Sequence, residues 1–253
     1  MTIPQSGPTV TCQGVSHLLL DIEGTTCPVS FVAEVLFPYA AAQLDSYLEQ
    51  QGQNPPVLAL LEAAREAWTR DADPAAQQLR EQPNARVADY LALLIRQDRK
   101  LTALKELQGL IWEEGYAEGI LQAPLFQDVP SALERWKRQG LTLAVYSSGS
   151  VQAQKLLYQH STAGDLRPLF SHWFDTRNGA KHEPASYRGI AEVMEAAPAQ
   201  ILFISDALAE CVAAQQAGLQ VVFSLRPGNS ARAAAAFPCV EDYTNLLILP
   251  GKR

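Results

Sequence analysis

The sequence predicts a doubly wound, parallel-sheet α/β core with an α-helical domain inserted after its first strand. Three observations lead there. Short, continuously apolar runs stop abruptly at polar residues, as strands buried on both faces of a parallel sheet do. Helical patterns separate the later runs, which implies right-handed β-α-β units. Roughly a hundred residues after the first run read as helix almost throughout, and a structureless loop of that length is implausible.

The first run, "HLLLD", ends at Asp21, with Glu23 two residues later. The helical interval follows: "FVAEVLFPYAAAQLDSYLEQQ", "PVLALLEAAREAWTR", "ARVADYLALLIRQDR" and "TALKELQGLIWEEGYAEG", punctuated by Pro55-Pro56, Pro74 and Pro83. Residues 29–123 are expected to form this domain, and residues 1–28 with 124–253 the core. "VPSALERWKRQG" is a helix closed by Gly140 and leads into "LTLAVYSSGS", a strand that ends at Ser147 and Ser148. "VQAQKLLYQHS" and "PASYRGIAEVMEAA" are helices, the second with Pro184 in its first turn. "ILFISD" is a strand ending at Ser205 and Asp206; "ALAECVAAQQAG" is a helix closing at Gly218. "LQVVFSL" is a last strand before the turn signal "RPGN", and "ARAAAAF" beyond it is alanine-rich.

Composition narrows the function. The 253 residues are 47% hydrophobic and 19% charged, ordinary for a soluble globular chain. A net charge of -7 argues against nucleic acid as a partner, since phosphate backbones need a basic face. Cys12, Cys27, Cys211 and Cys239 form no C-x-x-C pair, which suits free thiols in a cytoplasmic protein. No apolar run nears the ~20 residues of a membrane span. "MTIPQSGPTVTCQG" lacks a basic start before an apolar stretch, so a short flexible lead-in is expected rather than a signal peptide.

Ligands of open parallel sheets bind beyond the carboxyl ends of the strands. There the sequence gathers Asp21 and Glu23, Ser147 and Ser148, and Ser205 and Asp206. Asp21 and Asp206 can share a hard cation such as Mg2+, which offsets the repulsion of crowded carboxylates. "SSGS" offers hydroxyls and N–H groups at a helix start, which suits an anion, and Thr25 adds a donor. Lys181, just before a helix, supplies a cation for a phosphate. An aspartate beside a metal can attack phosphorus, and an acid two residues on projects to the same side to handle the proton.

Each residue also has a plainer role. A lone Asp after an apolar run is usually a turn former or cap. "SSGS" alone is a helix cap, and Lys181 alone a solvated lysine. Glu210 is either a helix-surface acid or support for the site. Trp112 and Tyr116 most simply pack a helix, with a pocket-shaping role as the alternative. His182 is expected to be exposed, and Arg226 in "RPGN" to be turn chemistry.

"DIEGTT", "SSG", a following lysine and "SD" resemble the four motifs of the haloacid dehalogenase superfamily of phosphatases. Glu23, where that first motif usually has Asp, resembles the enolase-phosphatases of L-methionine salvage within it. So do "LQGLIWEEGY", "VYSSGSVQAQKLL", "GDLRPLF", "FDTRNGAKHEPASY", "ILFISD" and "RPGN". The resemblance spans about residues 16–230, and Cys27 stands where a threonine is common. It implies enolisation of 2,3-diketo-5-methylthiopentyl-1-phosphate, then loss of phosphate to give the acireductone 1,2-dihydroxy-3-keto-5-methylthiopentene. It further implies one Mg2+ per subunit and a monomer. Asp21, Glu23 and Asp206 fall on the metal, with Asp21 the nucleophile and Glu23 giving a backbone carbonyl while its side chain moves protons. Ser147, Ser148 and Lys181 fall on the substrate.

The nearest rival is a phosphatase of another small phosphorylated metabolite, which the same residues would serve. A hydrolytic dehalogenase needs neither metal nor second acid. A receiver domain is about half this length and carries its aspartate in mid-chain. A phosphate-binding protein has no need of nucleophile and acid together.

Overall fold

The computed structural model describes residues 9–229 and 237–250. The chain divides into two compact units. One runs from Val32 to Leu121; the other joins the chain up to Phe31 with the chain from Gln122 onward.

The second of these is an α/β unit. It opens with β1 (Val10–Val15) and β2 (His17–Leu20). The helical unit follows, with α1 (Phe37–Gln51), α2 (Pro55–Arg70), α3 (Pro74–Arg80), α4 (Val87–Arg96) and α5 (Thr102–Ala117). The α/β unit resumes with α6 (Val129–Arg138), β3 (Thr142–Tyr146), α7 (Val151–Gln159) and β4 (Phe170–Phe174). It ends with α8 (Pro184–Val193), β5 (Ile201–Ser205), α9 (Leu208–Gln216), β6 (Gln220–Ser224), β7 (Cys239–Val240) and β8 (Leu246–Pro250).

Six strands form one parallel sheet in the order β4-β3-β2-β5-β6-β7. β2 lies centrally, with Leu20 opposite Val145 on one side and Ile204 on the other. From β2 the chain winds outward through β3 and β4, then crosses back to β5 and winds the other way. The switch point therefore falls between β2 and β5, where ligands of such sheets bind. Leu18, Leu19 and Leu20 are fully buried, as their unbroken apolar run requires. Alternation sends Leu19, Ala144 and Phe203 to a face covered by Ile190 and Met194 of the α8 region and Cys211 and Ala214 of α9.

Five elements escaped the pattern reading: β1, β4, β7, β8 and α3. The expected lead-in holds β1, which pairs in parallel with β8 in a separate two-stranded sheet. Its exposed Thr11 and Gln13 break the apolar signal of a strand. β4 is an edge strand, and "FSHWF" has an exposed serine and two half-buried residues in its middle. α3 was hidden by Pro74, which starts that helix rather than breaking one: Asp73 accepts from Ala76 N at 3.0 Å. In "FVAEVLFPYA" a π-helical stretch, Phe31–Leu36, runs directly into α1, whose first turn holds Pro38. The alanine-rich residues 231–236 lie outside the described residues.

The helical unit is held by its own apolar faces. Leu91, Leu94, Leu104 and Leu107 are buried, and Trp68 stacks on Tyr90 with centroids 5.1 Å apart. Trp112 donates from Nε1 to Leu36 O at 2.8 Å, and both it and Tyr116 are buried. Gly115 lets Tyr39 lie close: a Cβ there would fall 2.7 Å from the end of the Tyr39 ring. Among the described residues, no helix is long and apolar enough to cross a membrane.

Candidate active site

Asp21 extends β2 by one residue, donating its backbone N–H to Ile204 O at 3.0 Å. Its neighbour across the switch point is Ser205, the last residue of β5, with Asp206 next. The chain after Asp21 turns tightly: Ile22 O accepts from the backbone N–H of Thr25, Thr26 and Cys27. Gly24 makes that turn with φ +67°. A Cβ on Gly24 would lie 2.4 Å from Asp206 Oδ2, so only glycine lets the loop and the Asp206 carboxylate come this close.

Lys181 carries the charge that Asp21 needs. Its Nζ lies 2.7 Å from Asp21 Oδ1 and 2.7 Å from Glu210 Oε2, and all three groups are largely withdrawn from water. Burial alone would lower the Lys181 pKa, but the two carboxylates outweigh it and hold the ammonium above its ordinary range. Glu210 moves up to about 7, pushed first by burial and then by Asp21, while Lys181 opposes the shift. The loop bearing Lys181 is pinned at three carbonyls. Tyr146 OH donates to Gly179 O, Ser186 Oγ to Ala180 O and Tyr187 OH to Lys181 O, at 2.9, 2.8 and 2.7 Å.

Ser205 Oγ sits 2.9 Å from Glu210 Oε2 and 3.2 Å from Asp21 Oδ2, and accepts from Ala207 N. One hydroxyl proton cannot serve both carboxylates. While Glu210 is ionised, the proton goes to the nearer oxygen and Asp21 Oδ2 keeps its lone pairs free. A protonated Glu210 can donate to Ser205, which then donates to Asp21.

The turn after β3 is equally fixed. Ser147 is buried, donates its N–H to Phe174 O at 3.2 Å, and accepts from Gly149 N on its Oγ. Ser150 caps α7 through Ala153 N, and Asp175 accepts from Val151 N. The ring of Tyr146, the residue before Ser147, lies 5.6 Å from Lys181 Nζ, so this turn and Lys181 share one wall.

The structure thus joins Asp21, Lys181, Ser205 and Glu210 in direct contact and sets Asp206 against Gly24. Ser147 adjoins through Tyr146, and Ser148 and Glu23 are half-buried in their turns. A hard cation fits the donor chemistry here. Asp21 and Asp206 offer carboxylates on neighbouring strand ends. Beside Asp206, Asn229 Oδ1 is buried with no partner among the described residues, while its Nδ2 is committed to Gly24 O at 2.9 Å. Among the described residues, no three acid, histidine or cysteine side chains converge as ligands, so two carboxylates would act with other oxygen donors or water.

Glu210 is support for Lys181 rather than a surface acid. His182 is exposed, as expected. Arg226 corrects its reading as turn chemistry: it is buried, paired with Asp128 at 2.7 Å, and donates from Nε to Thr25 O at 3.2 Å. Tyr187, Asp175, Asn229 and Tyr243 were not anticipated. Each acts on backbone, and such partners leave no spacing signal in a sequence.

Residues 15–218 match the family model described as haloacid dehalogenase-like hydrolase. The enolase-phosphatase E1 of Synechococcus sp. (strain CC9902) is 49% identical over 222 residues, 85% of this chain and 91% of the relative. That of Synechococcus sp. (strain RCC307) is 50% identical over 230 residues, 90% and 92% of the two chains. Among solved structures, the UTR4 protein of Saccharomyces cerevisiae superposes with a TM-score of 0.74 at 31% identity, over 92% of this chain and 100% of that one. CbbY of Rhodobacter sphaeroides, in complex with phosphate, is 19% identical with a TM-score of 0.56 over 90% of this chain and 95% of that one, and shares the fold alone.

Proposed function

The chain belongs to the haloacid dehalogenase-like hydrolases, and from that premise we propose that it is an enolase-phosphatase of L-methionine salvage. Its substrate in this reading is 2,3-diketo-5-methylthiopentyl-1-phosphate. The product is the acireductone 1,2-dihydroxy-3-keto-5-methylthiopentene. The observation that carries the reading is the buried contact of Asp21 with Lys181 at the sheet's switch point, beside Asp206.

Asp21 is the nucleophile. Lys181 and the Ile22 N–H, 2.8 Å away, hold its Oδ1, which leaves Oδ2 to attack phosphorus. The bond from phosphorus to the enol oxygen breaks as the bond to Asp21 forms, and Glu23 gives that oxygen its proton. Glu23 then takes a proton from water, which attacks the phosphoaspartate, frees phosphate and restores Asp21. Ser147, Ser148 and Lys181 bind the phosphate, Lys181 also offsetting its charge. One Mg2+, held by the Asp21 and Asp206 carboxylates and the Glu23 carbonyl, neutralises phosphate charge when bound. In the preceding enolisation, Glu23 is the base that removes a proton next to a carbonyl, its extra methylene extending its reach; the electron pair moves onto the carbonyl oxygen, which takes its own proton from solvent. The helical unit, residues 29–123 in this reading, is the cap domain. The enzyme works as a cytoplasmic monomer.

The test supplies the diketo phosphate with Mg2+ and follows enol absorbance and phosphate release separately. Asp21→Asn is expected to accumulate enol while releasing no phosphate. Unchanged phosphate release would sink the nucleophile assignment, and full enolisation by Glu23→Gln would move the base elsewhere.

A further inference from the structure

Apart from Asn229, offered above to a cation, the motif "RPGN" and the chain beyond it are not used by the chemistry, yet they reach back to the loop that carries it. Two consecutive carbonyls follow Glu23, those of Gly24 and Thr25, and each receives two hydrogen bonds from far along the sequence. Gly24 O accepts from Ser224 Oγ and Asn229 Nδ2, both at 2.9 Å. Thr25 O accepts from Tyr243 OH at 2.9 Å and Arg226 Nε at 3.2 Å. A carbonyl oxygen has two lone pairs, so both acceptors are filled. The N–H groups of the same loop turn inward to Ile22 O and Cys27 O. One side of the loop is fixed by itself, the other by four side chains lying some two hundred residues away.

The donors on Thr25 are themselves held. The Arg226 side chain is almost wholly buried. Its Nη1 bonds Asp128 Oδ1 at 2.7 Å and Glu241 O at 3.1 Å. Its guanidinium lies 4.2 Å from the Tyr243 ring centroid and 4.7 Å from that of Phe126. Asp128 closes the arrangement by accepting from Tyr243 N at 2.7 Å, and Arg135 Nη2 donates to Tyr243 O at 2.8 Å. Tyr243 is fully buried, with its ring 5.0 Å from Trp136.

A buried ion pair is a poor way to gain stability, because removing both charges from water offsets most of their attraction, and apolar residues of similar volume often do as well. What a buried guanidinium adds is direction: a rigid planar fork whose Nε and Nη1 point at set acceptors. Here those acceptors are the loop carbonyl and the carboxylate that orients Tyr243. Among the described residues, Arg226 Nη2 has no hydrogen-bond partner, so the directed bonds of the fork run through Nε and Nη1.

We infer that Arg226 and Tyr243 are positioning residues for the reaction, a clamp that acts through the Thr25 carbonyl to aim the loop bearing Asp21 and Glu23. The inference rests on Asp21 and Glu23 doing the chemistry. Both clamp side chains are buried and committed to protein partners. In the proposed reading phosphate is bound mainly by Ser147, Ser148 and Lys181, after β3 and before α8, with Thr25 the only candidate donor in the clamped loop. Loosening the clamp therefore lowers turnover and leaves substrate affinity alone. Displacement of a reacting group by about 1 Å costs on the order of 10²-fold in rate.

The test compares kcat and KM in three variants, assayed well below their melting temperatures. Tyr243→Phe deletes the hydroxyl and little else; Arg226→Lys keeps the charge but loses the fork. Tyr243→Phe is expected to lower kcat about 10-fold and Arg226→Lys about 100-fold, with KM within about 2-fold of the parent. Trp136→Phe loosens the packing behind Tyr243 without touching the loop, and is expected to lower the melting temperature but not kcat. Two results would overturn the clamp: kcat unchanged in Tyr243→Phe, or a fall in kcat with Trp136→Phe as large as with the clamp variants. If Arg226→Lys does not fold, Tyr243→Phe decides alone. Asp21→Asn runs alongside. Full phosphate release by it would refute the reading of the site itself, whereas an inactive Asp21→Asn with a normal Tyr243→Phe would refute only the clamp.

Discussion

Lys181 meets Asp21 with side chains 7% and 8% exposed, whereas in the helical unit Arg86 meets Asp45 with 56% and 61% exposed. The α/β unit has exposed pairs too, such as Arg167 with Asp165 at 38% and 40%, but it also buries whole pairs. In the α/β unit, Arg226 is 1% exposed against Asp128; in the helical unit, Arg70 and Glu66 pair at 79% and 70%. The helical unit buries aromatic and aliphatic side chains and leaves its ions in water, where such pairs contribute little. The α/β unit withdraws ions from water at a cost in solvation. That cost falls where strands end, not within the sheet, so it marks chemistry and its supports rather than the core.

The contrast breaks most sharply at Lys181. Lys181→Met is nearly isosteric and leaves Asp21 and Glu210 buried without their cation. Turnover should fall by at least ~10²-fold. The protein should also lose stability, by up to about 3–5 kcal/mol for an uncompensated buried charge, less whatever protonation of Glu210 recovers. Phosphate release and thermal denaturation measure the two effects. Turnover within tenfold of the parent would mean that this buried cluster is structural, and that the division between the units is one of packing alone.

Why Lys181 could be picked from sequence, and Arg226 could not, is a matter of what each one contacts. Asp21, Asp206 and Lys181 stand at strand ends and a helix start, which apolar runs and turn residues locate. β2, β3, β5 and β6 were legible for the same reason, since a strand buried on both faces writes itself as an unbroken apolar run. β4 and β1 lie at edges, where half-exposed residues erase the run. Arg226 bonds a carbonyl two hundred residues away, and any side chain in "RPGN" would have read as a turn. Glu210 stayed ambiguous because one helical face holds both solvated and buried positions, and only the approach of Lys181 decides between them.

The helical unit should respond in stability alone. Leu91 is fully buried on α4, and Leu91→Ala leaves a cavity worth about 2–5 kcal/mol. Heat or denaturant should unfold that variant earlier, while kcat at 25 °C stays within about twofold. A large fall in kcat at a temperature where the variant is fully folded would tie the helical packing to the chemistry and blur the contrast.

Asp71 is the helical unit's nearest approach to the other regime. Its side chain is 5% exposed, with Arg99 Nη2 at 2.7 Å and Tyr90 OH at 2.9 Å. Burial pushes its carboxyl up, but the Asp73 N–H, Tyr90 and Arg99 together hold it below its ordinary 3.8. A carboxylate depressed in the folded state stabilises above its unfolded pKa, and that contribution disappears as pH falls through the folded value. Asp71→Asn should therefore be less stable than the parent at pH 7, by about 1 kcal/mol once screening at the half-exposed Arg99 is allowed for. In melting temperature that is roughly 2–4 °C. The gap should narrow as pH is lowered below 3.8, because only the parent loses its carboxylate. Parallel melting curves at pH 7 and near pH 3 decide it. A gap that stays constant would show that Asp71 acts by shape and not by charge, which would leave the helical unit with no buried ion of consequence and make the contrast between the two units complete.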